Sequence, residues 1–272
     1  MKLETLVQEA LQEDIGAGDV TVEALVDPEL QTKAMICAKE EAVLFGMKAA
    51  AEVFRQIDPT LQFNPCRHDK AHLKAGEKAA YLQGSVTAIL KGERTALNFI
   101  QHLSGIATLT RKFVDAVAGT KVKILDTRKT TPGWRELEKQ AVAAGGGVNH
   151  RHGLFDAYLI KNNHIAIAGS VSQAIEKVLK IRNPKLKLEV EVRDLKELKE
   201  ALTFSVDQVL LDNFTPAQVK EALAFKKKGV AFEVSGGITL QNVKDYALAG
   251  VDFISVGGLT HSAPAVDFHL VI

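Results

Sequence analysis

From residue 121 onward, short apolar runs alternate with segments whose apolar residues recur at helical spacing. Strands that are apolar along their whole length fit a parallel sheet buried on both faces, with the helices as crossovers. This repetition favours an α/β barrel of about seven strands, incomplete rather than closed, over an open sheet. The candidate strands are 122–127, 147–151, 157–161, 187–192, 208–212, 231–235 and 252–256, and the candidate helices are 134–144, 170–182, 194–204, 215–228 and 239–249.

The residues before 121 show a different pattern of helices and strands, which predicts a separate α+β domain. Apolar residues at helical spacing over 2–13 predict a first helix, and a second helix follows Gly46. A long helical pattern runs from Gly92 to Gly119, with Gly105 as the point where the helix would kink or break. The candidate strands are 31–37, 41–45, 79–83 and 85–90. We therefore expect domains over 1–118 and 119–259.

Composition limits the partners that the chain can have. The formal net charge is only +1 over 272 residues, without a basic block, so nucleic acid is not an expected partner. No apolar run reaches the roughly 18 residues that cross a bilayer, and Met1 leads into a polar amphipathic segment rather than a signal peptide. The cysteines are Cys37 and Cys66 alone, which favours a reducing cytoplasm over a disulfide framework.

Polar residues and glycines recur at the end of each candidate strand of the barrel. In a parallel barrel all carboxyl ends open on one face, where such proteins bind and react. A shared position on every unit indicates a common site more strongly than any one residue does. The residues are Thr127, Arg128, Lys129, His150, Arg151, Lys161, Glu191, Asp212, Ser235, Gly236, Gly237, Gly257 and Gly258.

Cationic residues dominate the first three of these strand ends, between residues 126 and 164. Arginine matches carboxylate and phosphate groups in a bidentate manner, and lysine adds a mobile point charge. A solvated basic turn region is the structural alternative. The cluster indicates an anionic ligand with several carboxylates or phosphates.

The later strand ends carry a different chemistry. Gly236-Gly237 and Gly257-Gly258 follow the last two strands, where barrels frequently hold a phosphate with backbone N–H groups, although a glycine pair can also be a simple turn. Glu191 and Asp212 suit hydroxyl binding, a water-mediated Mg²⁺ ion or a developing positive charge, and they could also pair with Lys161 or Lys129. Together with the cationic side, these groups point to transfer of a phosphorylated sugar.

Arg94 lies in the first turn of the predicted helix over 92–119, where its charge opposes the helix dipole. Such a placement costs helix stability, so it indicates a ligand or partner carboxylate. An ion pair with Glu93 or another neighbour explains it equally well.

The chain resembles the quinolinate phosphoribosyltransferase family nearly from end to end. Motifs this long and this numerous are highly specific. They are EDIGAGDVT at 13–21, GERTALNFIQHLSGIAT at 92–108, DTRKTTPGWRELEKQAV at 126–142, GGGVNHRHGLFDAYLIKNNH at 145–164, EVEV at 189–192, LLDNF at 210–214, VSGGI at 234–238 and VGGLTHSAP at 256–264.

The resemblance implies a fold and a reaction. The fold is an N-terminal α+β sandwich-like domain, to which a C-terminal tail over 260–272 returns, and an incomplete α/β barrel. The reaction joins quinolinate to phosphoribosyl pyrophosphate (PRPP) in the presence of Mg²⁺. It gives nicotinate mononucleotide, pyrophosphate and carbon dioxide in NAD biosynthesis. The resemblance also implies a homodimer with shared active sites, in some members assembled into hexamers, and no membrane or nucleic-acid partner.

The resemblance also implies roles for individual residues, because the motifs of this chain can be matched to those of the family. Arg128, His150, Arg151 and Lys161, assisted by Thr127, would hold the two carboxylates of quinolinate. Lys129 would face the pyrophosphate, and Glu191 and Asp212 would bind the ribose hydroxyls and lie near Mg²⁺, so that Lys129, Glu191 and Asp212 are the expected catalytic residues. The 5′-phosphate would be held by Ser235, Gly236, Gly237, Gly257 and Gly258. Arg94 would be supplied by the neighbouring subunit.

Three other functions fit part of the pattern. A related transferase could accept a different aromatic acid such as nicotinate, although one carboxylate does not require so many cationic residues. A Schiff-base aldolase barrel would use Lys161 as its nucleophile. A non-enzyme phosphate sensor or scaffold could use the same face of the barrel.

Overall fold

A computed structural model describes residues 2–272, and the chain divides into two compact units. The first, here called the N-terminal unit, comprises Met1–Arg111, Thr130–Gly146 and Leu259–Ile272. The second, here called the barrel unit, comprises Lys112–Lys129 and Gly147–Gly258. Within residues 2–272, no helix is both long and apolar enough to cross a membrane.

The secondary structure contains most of the predicted helices and strands, together with several short elements that were not predicted. The elements up to residue 116 are α1 (Leu3–Ile15), α2 (Val20–Leu25), β1 (Gln31–Ala38), β2 (Ala42–Val43), α3 (Met47–Ile57), β3 (Gln62–Pro65), β4 (His72–Leu73), β5 (Lys78–Ser85) and α4 (Val86–Ala116). The later elements are β6 (Lys123–Leu125), α5 (Arg135–Ala144), β7 (Tyr158–Ile160), α6 (Asn162–Ala168), α7 (Val171–Ile181), β8 (Leu188–Val192), α8 (Leu195–Ala201), β9 (Gln208–Asp212), α9 (Pro216–Leu223), β10 (Ala231–Ser235), α10 (Val243–Ala249), β11 (Phe253–Ser255), α11 (Gly258–His261) and β12 (Phe268–Val271).

The N-terminal unit is built on an antiparallel sheet with strand order β12-β1-β5-β3. In β1 the alternate residues Ala34, Ile36 and Ala38 are buried, as expected for a strand with one face against a core, and Cys37 is buried as well, where the register with β5 shifts. Helix α3 contributes Val53 and Phe54, which are fully buried. The predicted α+β character of this region is confirmed.

Helix α4 corrects three expectations. It begins at Val86, so the strand predicted over 85–90 is wrong beyond Ser85, the last residue of β5. It also continues through Gly105 as one helix of 31 residues, without a break. A Cβ on Gly105 would lie 2.1 Å from the carbonyl oxygen of Pro264. The glycine therefore serves the close approach of the C-terminal segment. Gln101 accepts the Val266 N–H at 3.1 Å through its backbone carbonyl.

The third expectation concerns Arg94. Because α4 starts at Val86, Arg94 lies in the third turn of the helix and not in the first. The predicted conflict between its charge and the helix dipole is therefore wrong, since that effect fades beyond the first turn. The Arg94 side chain is exposed.

The barrel unit contains a sheet of order β6-β11-β10-β9-β8-β7, in which every adjacent pair is parallel. Six strands form where about seven were predicted. The predicted strand over 147–151 is reduced to one bridge between Val148 and Leu125, because the next amide, that of His150, donates to the Asp126 side chain at 2.8 Å. The α/β fold with an incomplete parallel barrel is confirmed.

Strand register assigns the polar residues of this sheet to one face. Successive side chains of a strand alternate between faces, and Glu189 is in register with Gln208 while Val190 is in register with Val209. The face that carries Val190 and Val209 is apolar, and both side chains are fully buried. The opposite face carries Glu189, Glu191, Gln208, Asp212, Glu233, Ser235 and Ser255.

The helices of the barrel unit begin close to the predicted positions. Ser170, Asp194 and Thr215 cap α7, α8 and α9 by accepting backbone N–H groups through their side chains. Helix α10 starts only at Val243, because residues 239–242 form a turn in which Asn242 accepts the Thr239 N–H at 2.8 Å. Helix α6, directly after Lys161, was not predicted.

Gly105→Ala tests the packing of α4 against the C-terminal segment. Alanine is the better helix former, but its Cβ would overlap the Pro264 carbonyl, so we expect a loss of about 1–3 kcal/mol in the free energy of unfolding. Urea unfolding followed by circular dichroism measures it. Asn98→Ala, at an exposed position of the same helix, is the control and should unfold at the wild-type concentration or slightly above. An unchanged midpoint for Gly105→Ala would contradict the close approach.

Candidate active site

The predicted site residues of the barrel unit lie at the carboxyl ends of its parallel strands. Thr127, Arg128 and Lys129 follow β6, His150 and Arg151 follow the Val148 bridge, and Lys161 follows β7. Glu191 is the second-to-last residue of β8, and Asp212 and Ser235 are the last residues of β9 and β10. Gly257 and Gly258 follow β11. Since the strands are parallel, these residues share one edge of the sheet.

Two guanidinium groups form the cationic side of this edge. Burial, followed by the nearby charge of Arg128, lowers the pKa of Arg151, and Glu189 and Asp156 only partly oppose this effect. Arg151 donates to the Ala157 carbonyl at 3.1 Å, and this bond holds its side chain in place. Arginine remains charged in proteins, so two such groups held close together and partly out of water favour the binding of an anion.

The loop that carries Arg151 is fixed by Asp156. The two carboxylate oxygens of Asp156 accept the N–H groups of His152 at 2.6 Å and Gly153 at 3.0 Å. Burial alone would raise the pKa of this carboxyl, but these backbone hydrogen bonds outweigh burial and lower it. A charged Asp156 therefore closes the turn between Arg151 and β7.

His150 is positioned from its backbone by a buried carboxylate. Asp126 is fully buried and accepts the His150 N–H at 2.8 Å and the Asn149 side-chain amide at 2.6 Å. Asp126 follows β6 directly, so these bonds replace the strand pairing that was predicted for 147–151. They fix the path of the chain into the Arg151 loop.

Glu191 and Asp212 provide the acidic side. Burial raises the pKa of Glu191, the Asn162 N–H at 3.3 Å from its Oε1 lowers it, and the charge of Asp212 raises it again. Lys161 is also close enough to lower this pKa through its charge. The carboxylates on β8 and β9 are thus neighbours of each other and of Lys161, as the sequence predicted for adjacent strand ends.

The strand end of β10 is a glycine turn. Gly236 and Gly237 have φ of +96° and +62°, which side chains rarely adopt. A Cβ on Gly236 would lie 2.1 Å from the Asn213 Oδ1, so the turn has no space for a larger residue. Asn213 itself has a φ of +58° and donates its backbone N–H to the Ser235 carbonyl at 2.9 Å. This close backbone approach suits a site that reads a ligand through main-chain groups.

Sequence reasoning missed the polar residues that support this edge. They are the buried Asp126, Glu189, Gln208, Glu233 and Ser255, the partly exposed Asp156 and the exposed Asn149. Glu189 and Glu233 were visible as charged residues inside otherwise apolar strands that a parallel sheet buries on both faces. Buried carboxylates of this kind are rare unless they are paired, so this contradiction was the available signal.

His150, Glu189 and Glu233 could offer ligand atoms to a metal, since these atoms lie within 4.8 Å of one another. The three side chains are already joined to each other, to Gln208 and to Ser255 by hydrogen bonds. The group is therefore satisfied by protein contacts alone, and we assign no cation to it.

The strand ends of this partial parallel barrel combine paired guanidinium groups, neighbouring carboxylates and glycine turns. This combination is typical of enzymes that act on small polyanionic molecules. Sequence comparison makes this class specific. Residues 19–104 match the family described as “Quinolinate phosphoribosyl transferase, N-terminal domain” and residues 106–271 match “Quinolinate phosphoribosyl transferase, C-terminal domain”. The chain belongs to the quinolinate phosphoribosyltransferase family.

Individual relatives agree over nearly the whole length. The “Probable nicotinate-nucleotide pyrophosphorylase (carboxylating)” of Bacillus subtilis (strain 168) is 40% identical over 99% of this chain and 93% of its own length. The corresponding enzyme of Mycobacterium leprae is 41% identical over 97% of this chain and 95% of its own. The solved nicotinate-nucleotide pyrophosphorylase from Francisella tularensis superposes with a TM-score of 0.94 at 44% identity, covering 98% of this chain and 95% of that structure.

Family membership makes the chain a phosphoribosyltransferase. The Schiff-base aldolase and the non-enzyme scaffold are therefore no longer alternatives.

Asp156→Ala tests the loop that carries Arg151. Without the carboxylate, the N–H groups of His152 and Gly153 lose their acceptor, so Arg151 samples more positions. We expect the KM for the aromatic acid substrate to rise about tenfold, which corresponds to about 1.4 kcal/mol, with little change in thermal stability. Asn183→Ala, which removes a similar side-chain cap of the Lys185 N–H elsewhere in the barrel unit, should leave this KM unchanged. Equal KM values for Asp156→Ala and wild type would refute the assignment.

Proposed function

We propose that this chain transfers the phosphoribosyl group of PRPP to the ring nitrogen of quinolinate. One carboxylate leaves, and the products are nicotinate mononucleotide, pyrophosphate and carbon dioxide, as required in NAD biosynthesis. The observation that carries the proposal is the pair of partly buried guanidinium groups, Arg128 and Arg151, in a chain of this family. Two fixed cations match a substrate with two carboxylates on adjacent ring atoms.

The cationic side binds quinolinate. Arg128 and Arg151 hold its carboxylates, with His150, Lys161 and Thr127 completing this side. Lys129 follows Arg128 and is exposed, and its flexible ammonium group is proposed to meet the departing pyrophosphate. The Thr127 hydroxyl accepts the Lys129 N–H at 3.0 Å, which fixes the direction in which the chain leaves β6.

The other side binds PRPP. Glu191 and Asp212 accept hydrogen bonds from the ribose hydroxyls, and their proximity to each other places negative charge where the sugar becomes cationic. The 5′-phosphate lies against the backbone at the ends of β10 and β11. Its proposed contacts are Ser235, Gly236, Gly237, Gly257 and Gly258.

Magnesium fits this arrangement as an ion that arrives with PRPP. Two neighbouring carboxylates, Glu191 and Asp212, repel each other in the absence of a cation, and this repulsion contributes to the raised pKa of Glu191. No side chain is assigned as a direct ligand, because Mg²⁺ usually retains several waters and substrate phosphates as ligands. When bound, the ion neutralises charge that accumulates on pyrophosphate.

The reaction requires no general base. The lone pair of the pyridine nitrogen attacks the anomeric carbon while the bond to pyrophosphate breaks, and the bonding electrons leave with pyrophosphate. The ring nitrogen is then cationic, so the adjacent carboxylate leaves as carbon dioxide, and the electron pair that remains on carbon takes up a proton. Lys129, Glu191 and Asp212 act on charge that develops during the first step, and the remaining residues position the substrates.

Turnover with PRPP is the test of the proposed reaction. We expect pyrophosphate and carbon dioxide to be released in equal amounts when quinolinate, PRPP and Mg²⁺ are all present, and neither to be released when quinolinate is omitted. Lys129→Ala should reduce kcat by about a hundredfold or more, because it removes a charge that acts in the transition state. Pyrophosphate released without quinolinate, or with nicotinate at the same rate, would refute the substrate assignment.

We also propose that the active form is a homodimer with shared sites, which can assemble further into hexamers. A groove of about 420 Å³ in the barrel unit is lined by Leu154, Tyr158 and Ile167, beside Arg151. Leu154, Phe155 and Ile167 are 75%, 76% and 86% exposed, and adjacent apolar side chains of this size favour a protein partner. An exposed Arg94 is available to a site on that partner.

Mixed dimers test the role of Arg94. Arg94→Ala and Arg128→Ala should each be inactive although folded. If each site combines Arg94 of one subunit with Arg128 of the other, a mixed dimer contains one intact site, and random mixing restores about a quarter of wild-type activity. Arg128→Ala mixed with Arg151→Ala is the matched control and should stay inactive, because both residues come from the same barrel. No recovery in the first mixture would exclude sharing.

Two further proposals concern cell location and domain limits. We place the chain in the cytoplasm, since Cys37 and Cys66 are free, and burial raises the pKa of Cys37, with the charge of Lys78 opposing it. A protonated thiol resists oxidation.

Small molecules, rather than nucleic acid or membranes, are the proposed partners besides the second subunit. The proposed domain limits are 1–118 and 119–259, with the tail 260–272 on the first domain. The compact units differ from these limits at Thr130–Gly146, which belongs to the N-terminal unit.

A further inference from the structure

A buried chain of side chains leads from His150 across the barrel unit. The Nε2 of His150 lies 3.0 Å from the Glu189 Oε2 and 3.6 Å from the Glu233 Oε2. Gln208 stands between the two carboxylates, with its amide nitrogen 3.1 Å from the Glu189 Oε1 and 2.5 Å from the Glu233 Oε2. The Ser255 hydroxyl donates to the Glu233 Oε1. Four adjacent strands, β8 to β11, thus contribute one residue each, here called the acid network.

The contacts of the acid network determine how the His150 ring is oriented. Both N–H groups of the Gln208 amide are directed at the two carboxylates, and the Glu189 Oε2 contacts the His150 ring. The Nε2 edge of the ring is therefore directed into the buried carboxylates.

The carboxylates of the acid network are almost completely removed from water. Glu189 and Glu233 are 5% and 0% exposed. Burial, followed by the charge of Glu189, raises the pKa of Glu233 well above its ordinary value. The charge of Glu189 also acts on Arg151, so the acid network lies next to two residues of the cationic side, His150 and Arg151.

We propose that the acid network is a positioning device that fixes the His150 ring through its Nε2 edge, so that the ring is held in one orientation for a substrate carboxylate. A ring that is already held loses less side-chain freedom when the substrate binds. Glu189, Gln208, Glu233 and Ser255 act through His150 and do not touch the substrate. This inference rests on the proposed binding of quinolinate.

The test uses Glu189→Gln in the full-length chain. Glutamine matches the shape of glutamate, but it removes the charge and turns an amide toward the amide of Gln208. We expect the Kd for quinolinate to rise about tenfold or more, while the Kd for PRPP changes by less than about twofold. Glu200→Gln is the control, because Glu200 accepts from Ser172 on the helical layer and should leave both affinities unchanged.

A double-mutant cycle separates positioning from general support of the fold. On a His150→Ala background, Glu189→Gln should cause less than about a twofold further loss of quinolinate affinity. An equal loss with and without His150 would overturn the proposal. Ser255→Ala, which removes one donor and little volume, provides a second variant if Glu189→Gln does not fold. It should show the same selective but smaller loss, and unchanged quinolinate affinity would overturn the proposal.

Nitrogen NMR of the labelled histidine rings gives a direct readout. The His150 ring signals, assigned from a His150→Gln spectrum, should shift in Glu189→Gln and stay at their wild-type positions in Glu200→Gln. Identical His150 signals in wild type and Glu189→Gln would refute the proposed contact. If wild type fails to convert quinolinate at all, the proposed function is refuted, whereas the NMR result still decides whether the acid network holds the ring.

Discussion

Parallel pairing of β6 to β11 is the constraint on which the site depends. It brings the carboxyl end of every strand to one edge, so residues that are far apart in the chain become neighbours without any long-range signal of their own. The electrostatic effect of Asp212 on Glu191 and of Arg128 on Arg151 expresses this proximity. The geometry also explains why short polar segments are enough to build the site, since the sheet itself provides the rigid base.

Carboxylates hold His150 and Arg151 in place at that edge. Asp126 fixes the His150 backbone, Asp156 closes the Arg151 loop, and Glu189 meets the His150 ring. A guanidinium or imidazole group that must bind a rigid diacid gains from such restraint, because less side-chain freedom is lost on binding. The site therefore consists of a cationic surface supported by carboxylates.

The sequence predicted the strands of the parallel sheet well and the side chains that hold the site residues in place poorly. Apolar runs predicted β8, β9 and β10 within one residue, because strands buried on both faces are distinctive. The run over 147–151 misled, since its pairing amide is taken by a side chain, Asp126, which no pattern of hydrophobicity records. Likewise, the start of α4 at Val86 was missed because β-branched and apolar residues at 85–90 suit either structure.

Candidate site residues were predictable where charge falls at a strand end, as for Glu191 and Asp212. The acid network was not, because its members lie inside the strands and are made tolerable only by contacts across four of them. For Arg94, the reasoning from the local sequence was wrong. Its proposed role came from family resemblance, while the local reason first given for its position depended on a helix start that the structure moves by six residues, from Gly92 to Val86.

The central claim is that Arg128 and Arg151 are held together to receive two carboxylates of one ring. Calorimetric titration of the wild-type chain and of Arg151→Ala with quinolinate and with nicotinate measures this directly. We predict that wild type binds quinolinate at least about tenfold more tightly than nicotinate, and that Arg151→Ala removes most of that difference. Equal affinity of the wild-type chain for the two acids would contradict the account.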